Sequence, residues 1–143
     1  MLRLGVNKFT LEGRANIHKQ LEKIDMRILM YIMRNPVIGR SIEYNDNRLS
    51  LYCGQGGKCA ISGKPLEIGH MHCHHIKPIS KGGNDKYANL LFVIDRAHCL
   101  IHAAADETVK ALLDELKLDE KQLKKLNKFR RLAGMEEIKQ VFL

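Results

Sequence analysis

The spacing of apolar positions changes several times along the chain, and each change marks an element. From about Leu11 to Arg34, Ile17, Leu21, Ile24, Ile28 and Ile32 recur every three or four residues, as on one face of a helix. Asn35-Pro36 ends that pattern, because the residue before a proline avoids the helical region. One long helix or two fit the stretch, the second capped by Asp25. Residues 36–46 read as a connecting loop. Asp46 or Asn47 then caps a short helix through Leu49, Leu51 and Tyr52, halted by Gly54, Gly56 and Gly57.

The middle of the chain has a different rhythm. Ser62-Gly63-Lys64-Pro65 is a turn, and Met71 to Ile79 is consistent with short strands. Lys81-Gly82-Gly83-Asn84-Asp85 is a loop made of turn formers. Leu90 to Ile94 is a β-type apolar run, and Asp95 caps a helix expected to reach at least Ala105. Two amphipathic helices complete the pattern. One starts near Asp106 with Val109, Leu112, Leu113 and Leu116; the other starts near Asp119 with Leu123, Leu126, Phe129 and Ala133 before Gly134.

Composition narrows what such a chain can do. At 143 residues it can bury a core without a metal or disulfide staple, and its 45% hydrophobic content argues against disorder. No run approaches the length of a membrane span, and the start, MLRLGVNKFTLEGR, lacks the apolar core of a signal peptide. A soluble cytosolic protein with no membrane partner is expected. Twenty-four Lys and Arg against sixteen Asp and Glu leave a net charge of +8, which favours polyanionic partners. The excess is +5 over residues 1–58, +2 over 59–102 and +1 over 103–143.

Histidine is distributed less evenly still. His70, His72, His74, His75, His98 and His102 crowd into one segment, and only His18 lies elsewhere. On the predicted helix His98 and His102 stand one turn apart on the same face and can chelate one ion. His74 and His75 are neighbours on the predicted strand, so they point to opposite faces and are poorly placed to hold the same ion. A division of labour follows, in which one completes the metal shell and the other serves as a general base. An imidazole of ordinary pKa, about 6.5, suits deprotonation of water near neutral pH, worth roughly 10² to 10⁴ in rate. Asn89, between His75 and His98, can bond the backbone flanking the histidine and fix the loop against the first strand, or be an ordinary turn residue.

The four cysteines, Cys53, Cys59, Cys73 and Cys99, do not form the paired CxxC knuckles of a structural zinc site, since Ser62 follows Cys59 at the second knuckle position. Free thiols are expected. Cys59 and Cys73 joining histidines in a zinc-stabilised structural domain is a competing arrangement.

With HH, GG, NL and HxxxH in order, the run HCHHIKPISKGGNDKYANLLFVIDRAHCLIH resembles the HNH endonuclease motif, whose family folds as two strands and a helix around one divalent ion. The resemblance implies His74, His98 and His102 as metal ligands, His75 as general base and Asn89 as the residue orienting it. It also implies Mg2+ or Mn2+ as the working ion, although three imidazoles bind Zn2+ or Ni2+ well by ligand softness. Many members carry a structural zinc between two cysteine pairs; Ser62 and Asp95 stand where cysteines would be, so none is expected here.

A wider resemblance takes in GRANIHKQLEKIDMRILMYIMRNP, NDNRLSLYCGQGGKCAISG and KQLKKLNKFRRLAGM, which look like the C-terminal DNA-binding and endonuclease region of bacterial group II intron-encoded reverse transcriptase/maturases. The YxDD-type reverse transcriptase domain of those proteins has no counterpart in this sequence. Intron RNA or a separate reverse transcriptase are further candidate partners beside double-stranded DNA, and a bacterial, nucleoid-associated location is implied.

The expected fold is therefore α+β: a ββα-metal core over residues 51–105, preceded by a helical DNA-binding-like segment, 1–50, and followed by a basic helical extension, 106–143. Lys77, Lys81, Lys86 and Arg96 surround the expected site. Lys121, Lys124, Lys125, Lys128 and Arg131 form a stripe on the last helix, opposite its apolar face, which suits phosphate contact or simply a solvated surface. Metal-dependent hydrolysis of DNA is the expected function; the alternative is a maturase-tail remnant that grips DNA or RNA without cutting it.

Overall fold

A computed structural model describes residues 24–139, so Ile17, Leu21 and His18 lie outside the described residues. Helix α1 spans Met26–Arg34 and is capped by Asp25, whose carboxylate accepts the Arg27 N–H at 2.9 Å. Its apolar stripe is buried at Ile28, Leu29 and Ile32.

Helix α2 spans Ile42–Gly54, so it begins well before Asp46 and takes in residues that read as loop. Its cap is Ser41, whose hydroxyl accepts the Tyr44 N–H at 3.0 Å. Asn45, Asp46 and Asn47 are weak helix formers, but burial of Tyr44 and Arg48 overrides that preference. The Arg48 guanidinium donates to the Asn35 carbonyl and the Asn45 side chain, both at 3.2 Å, which ties the turn between α1 and α2 to the helix.

Strands β1, Met71–His75, and β2, Leu90–Ile94, pair antiparallel, with Met71 opposite Ile94, Cys73 opposite Phe92 and His75 opposite Leu90. β1 stops short of Ile79, because Pro78 lacks an N–H and the chain turns into a 3-10 turn at Ile79–Lys81. A second such turn, Tyr87–Asn89, leads into β2. α2 packs against β2, and β2 is buried from Leu90 to Val93.

Helix α3, Asp95–His102, packs across both strands and completes a ββα unit. Asp95 sits inside its first turn and does not cap it, since Ile94 holds the cap position with no side-chain bond. The helix ends at His102, three residues before the expected Ala105. There the buried guanidinium of Arg130 reaches across, donating from Nη1 to the Leu100 and Ala103 carbonyls at 2.6 and 2.8 Å and from Nε to the Glu136 carbonyl at 2.8 Å. Those bonds satisfy end-of-helix carbonyls that a further turn would otherwise use, so tertiary contact overrides the helical preference of three alanines. Helices α4, Asp106–Leu116, and α5, Glu120–Leu132, follow as expected, α5 with a capping box between Asp119 and Gln122.

The fold is α+β, five helices and a two-stranded sheet among the described residues. One buried apolar cluster runs from Ile24 through Tyr52, Phe92 and Ile101 to Phe129. Among the described residues no helix is long and apolar enough to cross a membrane.

Candidate active site

Alternation along β1 sends His72 and His74 to one face, and the four-residue spacing of α3 presents His98 and His102 to it. The ring centroids of His74 lie 5.4 Å from His98 and 5.3 Å from His102, and those two are 4.9 Å apart. One nitrogen from each of the three falls within 4.8 Å of the others.

His74 is buried, and its Nε2 has no protein partner. A buried polar atom without a partner costs about 1–3 kcal/mol, so some ligand is called for. Burial first, and the neighbouring imidazoles second, push His74 and His98 down to about 4. Burial also lowers His102, with the Arg130 charge adding to it. Three neutral imidazoles with converging lone pairs are suited to a divalent cation and to little else. The donor set therefore fits the ion that the resemblance implies.

His75 leaves β1 on the other face but lines the same open cleft of about 370 Å³ as the three histidines. Its ring stacks on Tyr44 at 5.4 Å and 17°. Its Nε2 lies 2.8 Å from Asp85 Oδ1. Tyr44 is itself fixed, donating its hydroxyl to the Cys73 carbonyl at 3.1 Å.

Asn89 bonds the backbone that follows His75. Its Oδ1 accepts the Lys77 N–H at 2.8 Å, its Nδ2 donates to the Lys77 and Asn84 carbonyls, and its own carbonyl accepts the Ile76 N–H. Its side-chain bonds all end on that backbone, while the imidazole of His75 is held by Asp85 and Tyr44. Sequence reasoning missed both of those residues: Asp85 ends a run of turn formers, and Tyr44 falls in a stretch read as loop.

Lys77, Lys81 and Lys86 are exposed on the segment between the strands, and the Lys81 ammonium rests over Gly134 beyond α5. Arg96 is exposed but shares its charge with Glu115 at 3.4 Å. Lys121, Lys124, Lys125, Lys128 and Arg131 are exposed on α5 while Leu123, Leu126 and Phe129 are buried. Arg131 faces Glu137 at 3.2 Å. A further cation that sequence reasoning missed is Arg40, which lines the cleft and lies over the Tyr44 ring.

His70 and His72 have partners: both approach the Asp95 carboxylate, at 3.1 and 2.9 Å, and His72 stacks on His98 at 4.7 Å. Cys59 accepts the Ser62 N–H at 3.4 Å, and burial pushes the Cys73 thiol up to about 12. Among the described residues, His74, His98 and His102 form the one converging group of three metal-ligand side chains, and neither Cys59 nor Cys73 belongs to it.

No curated protein matches the chain. The family model of HNH endonucleases matches residues 51–93, a segment that carries His74, His75, Asp85 and Asn89 and stops before His98 and His102 of α3, whose ring nitrogens converge with that of His74.

Proposed function

We propose that this protein is a metal-dependent HNH DNA endonuclease that hydrolyses phosphodiester bonds with one divalent ion held by His74, His98 and His102. The observation that carries this is the convergence of three neutral imidazoles from β1 and α3 beside His75, in a chain whose residues 51–93 match that family. A divalent ion held there supplies positive charge to the phosphate and the leaving oxygen.

The chain's own residues do the remainder. His75 takes a proton from water, whose oxygen attacks phosphorus as the bond to the 3′ oxygen breaks. Asn89 holds the Lys77 backbone, which keeps the segment after His75 against the strand. Lys77, Lys81, Lys86 and Arg96 near the site, and Lys121, Lys124, Lys125, Lys128 and Arg131 on α5, contact phosphates of the duplex. In this reading residues 51–105 cut, while 1–50 and 106–143 hold DNA. Mg2+ or Mn2+ is the working ion, with Zn2+ or Ni2+ as tight-binding competitors. The resemblance to group II intron maturase tails supports a bacterial, nucleoid-associated role, with intron RNA or a separate reverse transcriptase as further partners.

Plasmid cleavage measured with Mg2+, Mn2+ and Zn2+, each with and without a chelator, tests the assignment. Nicking that requires an added ion and stops with the chelator is expected. DNA binding without cleavage under every ion would move the assignment to the non-cleaving maturase remnant.

A further inference from the structure

Asp85 has no task in the hydrolysis as described, yet three bonds hold it in place. Its Oδ1 meets His75 Nε2 at 2.8 Å, its Oδ2 accepts the Ser41 hydroxyl at 2.6 Å, and its carbonyl accepts the Asn47 side chain at 2.8 Å. Resting on the nuclease assignment, we propose that Asp85 is a positioning residue for the base: its carboxylate fixes His75 as the Nε2–H tautomer and leaves Nδ1 as the nitrogen that accepts the proton of water.

The chemistry of the groups requires this orientation. An ionised carboxylate only accepts hydrogen bonds, so the imidazole nitrogen facing it must carry the hydrogen. The partner of one ring nitrogen thereby decides the state of the other. Asp85 stays ionised, because the Ser41 hydroxyl first and His75 second hold its carboxyl below the usual range. The Tyr44 ring stacked on His75 removes rotation of the imidazole plane.

Three of these supports, Ser41, Tyr44 and Asn47, come from outside the matched segment 51–93. Ser41 uses one hydroxyl twice, accepting the Tyr44 N–H to start α2 and donating to Asp85. Asn47, one turn further on, holds the Asp85 backbone. The loop is pinned from its other side at Gly83, whose N–H donates to the Pro78 carbonyl and where a Cβ would strike the Lys77 carbonyl. Ser41 and Asn47, at the cap and in the first half of α2 ahead of the matched segment, thus hold the carboxylate that aims the base.

The experiment combines 15N spectra of labelled histidine with steady-state cleavage, on the full chain saturated with Mg2+. In the wild type, His75 is expected to show hydrogen on Nε2 and a bare Nδ1. Asp85→Ala should redistribute the tautomers and lower kcat about 10- to 100-fold, part of the roughly 10² to 10⁴ that a general base supplies. KM and Mg2+ affinity should stay within about threefold, because neither depends on the tautomer of a residue outside the metal shell. Asp85→Asn, nearly identical in shape, gives the same comparison if the alanine variant does not fold. Hydrogen on Nδ1 in the wild type, or an unchanged kcat and tautomer in these variants, would overturn the assignment. A wild type that does not cleave overturns the nuclease assignment instead, and the His75 tautomer then decides the role of Asp85 alone.

Discussion

Metal ligands compete with protons, and burial has weakened the proton at this site. As pH falls from 7 to 5.5, an imidazole of ordinary pKa becomes about tenfold more protonated than neutral, costing roughly tenfold in metal affinity per ligand. His74 and His98, held at about 4, stay neutral over that range, and His102 is shifted in the same direction. Calorimetry with Mn2+ should therefore show less than about a tenfold loss of affinity between pH 7 and 5.5, where three unperturbed ligands would lose about 10³. The larger loss would mean that the imidazoles are not buried as described. The spacing of these three histidines was legible in the sequence, because a strand period of two and a helix spacing of four leave regular marks. Asp85 was not, since a carboxylate in a glycine-rich loop looks like any other turn residue until the fold brings Ser41 and His75 to it. His70 and His72 look like spare surface histidines for the same reason: Asp95, their common partner, lies on another element.

Element boundaries followed local signals only where tertiary contact did not overrule them. Asp25 and Asp119 cap α1 and α5 as their side chains predict. α2 starts early and α3 ends early because Tyr44, Arg48 and Arg130 are committed to contacts that no local pattern contains. Arg130 lies beside the basic stripe of α5 but is not part of it, and its guanidinium is buried against the end of α3. Replacing it should leave the Leu100 and Ala103 carbonyls unpaired. Arg130→Met is expected to cost about 2–3 kcal/mol in urea denaturation, the scale of buried bonds to a charged group. Metal affinity should fall with it, because His102 occupies the last turn of the helix that Arg130 holds. Full stability in that variant would show that α3 does not need this clamp.

At the scale of the whole molecule, the +8 charge has two destinations. Some cations are tied to internal partners, as Arg48, Arg130 and Arg96 are. Others, among them Lys124, Lys125 and Lys128, face solvent on α5, and in the proposed function these contact phosphate. The double variant Lys124→Glu/Lys128→Glu should fold normally and weaken DNA binding, and the slope of log affinity against log salt should shrink by about 2, near 0.9 per lost contact. An unchanged slope would assign α5 to solvent and leave DNA to the segment between the strands.

The proposed function rests on an imidazole base, His75, beside a metal site of three imidazoles. Plasmid nicking in Mg2+ or Mn2+, wild type against His75→Ala, tests that most directly. The His75→Ala protein should fold and keep its metal site, yet nick DNA at least about 10²-fold more slowly. Cleavage at the wild-type rate would contradict the account, because no base would then be needed where His75 stands.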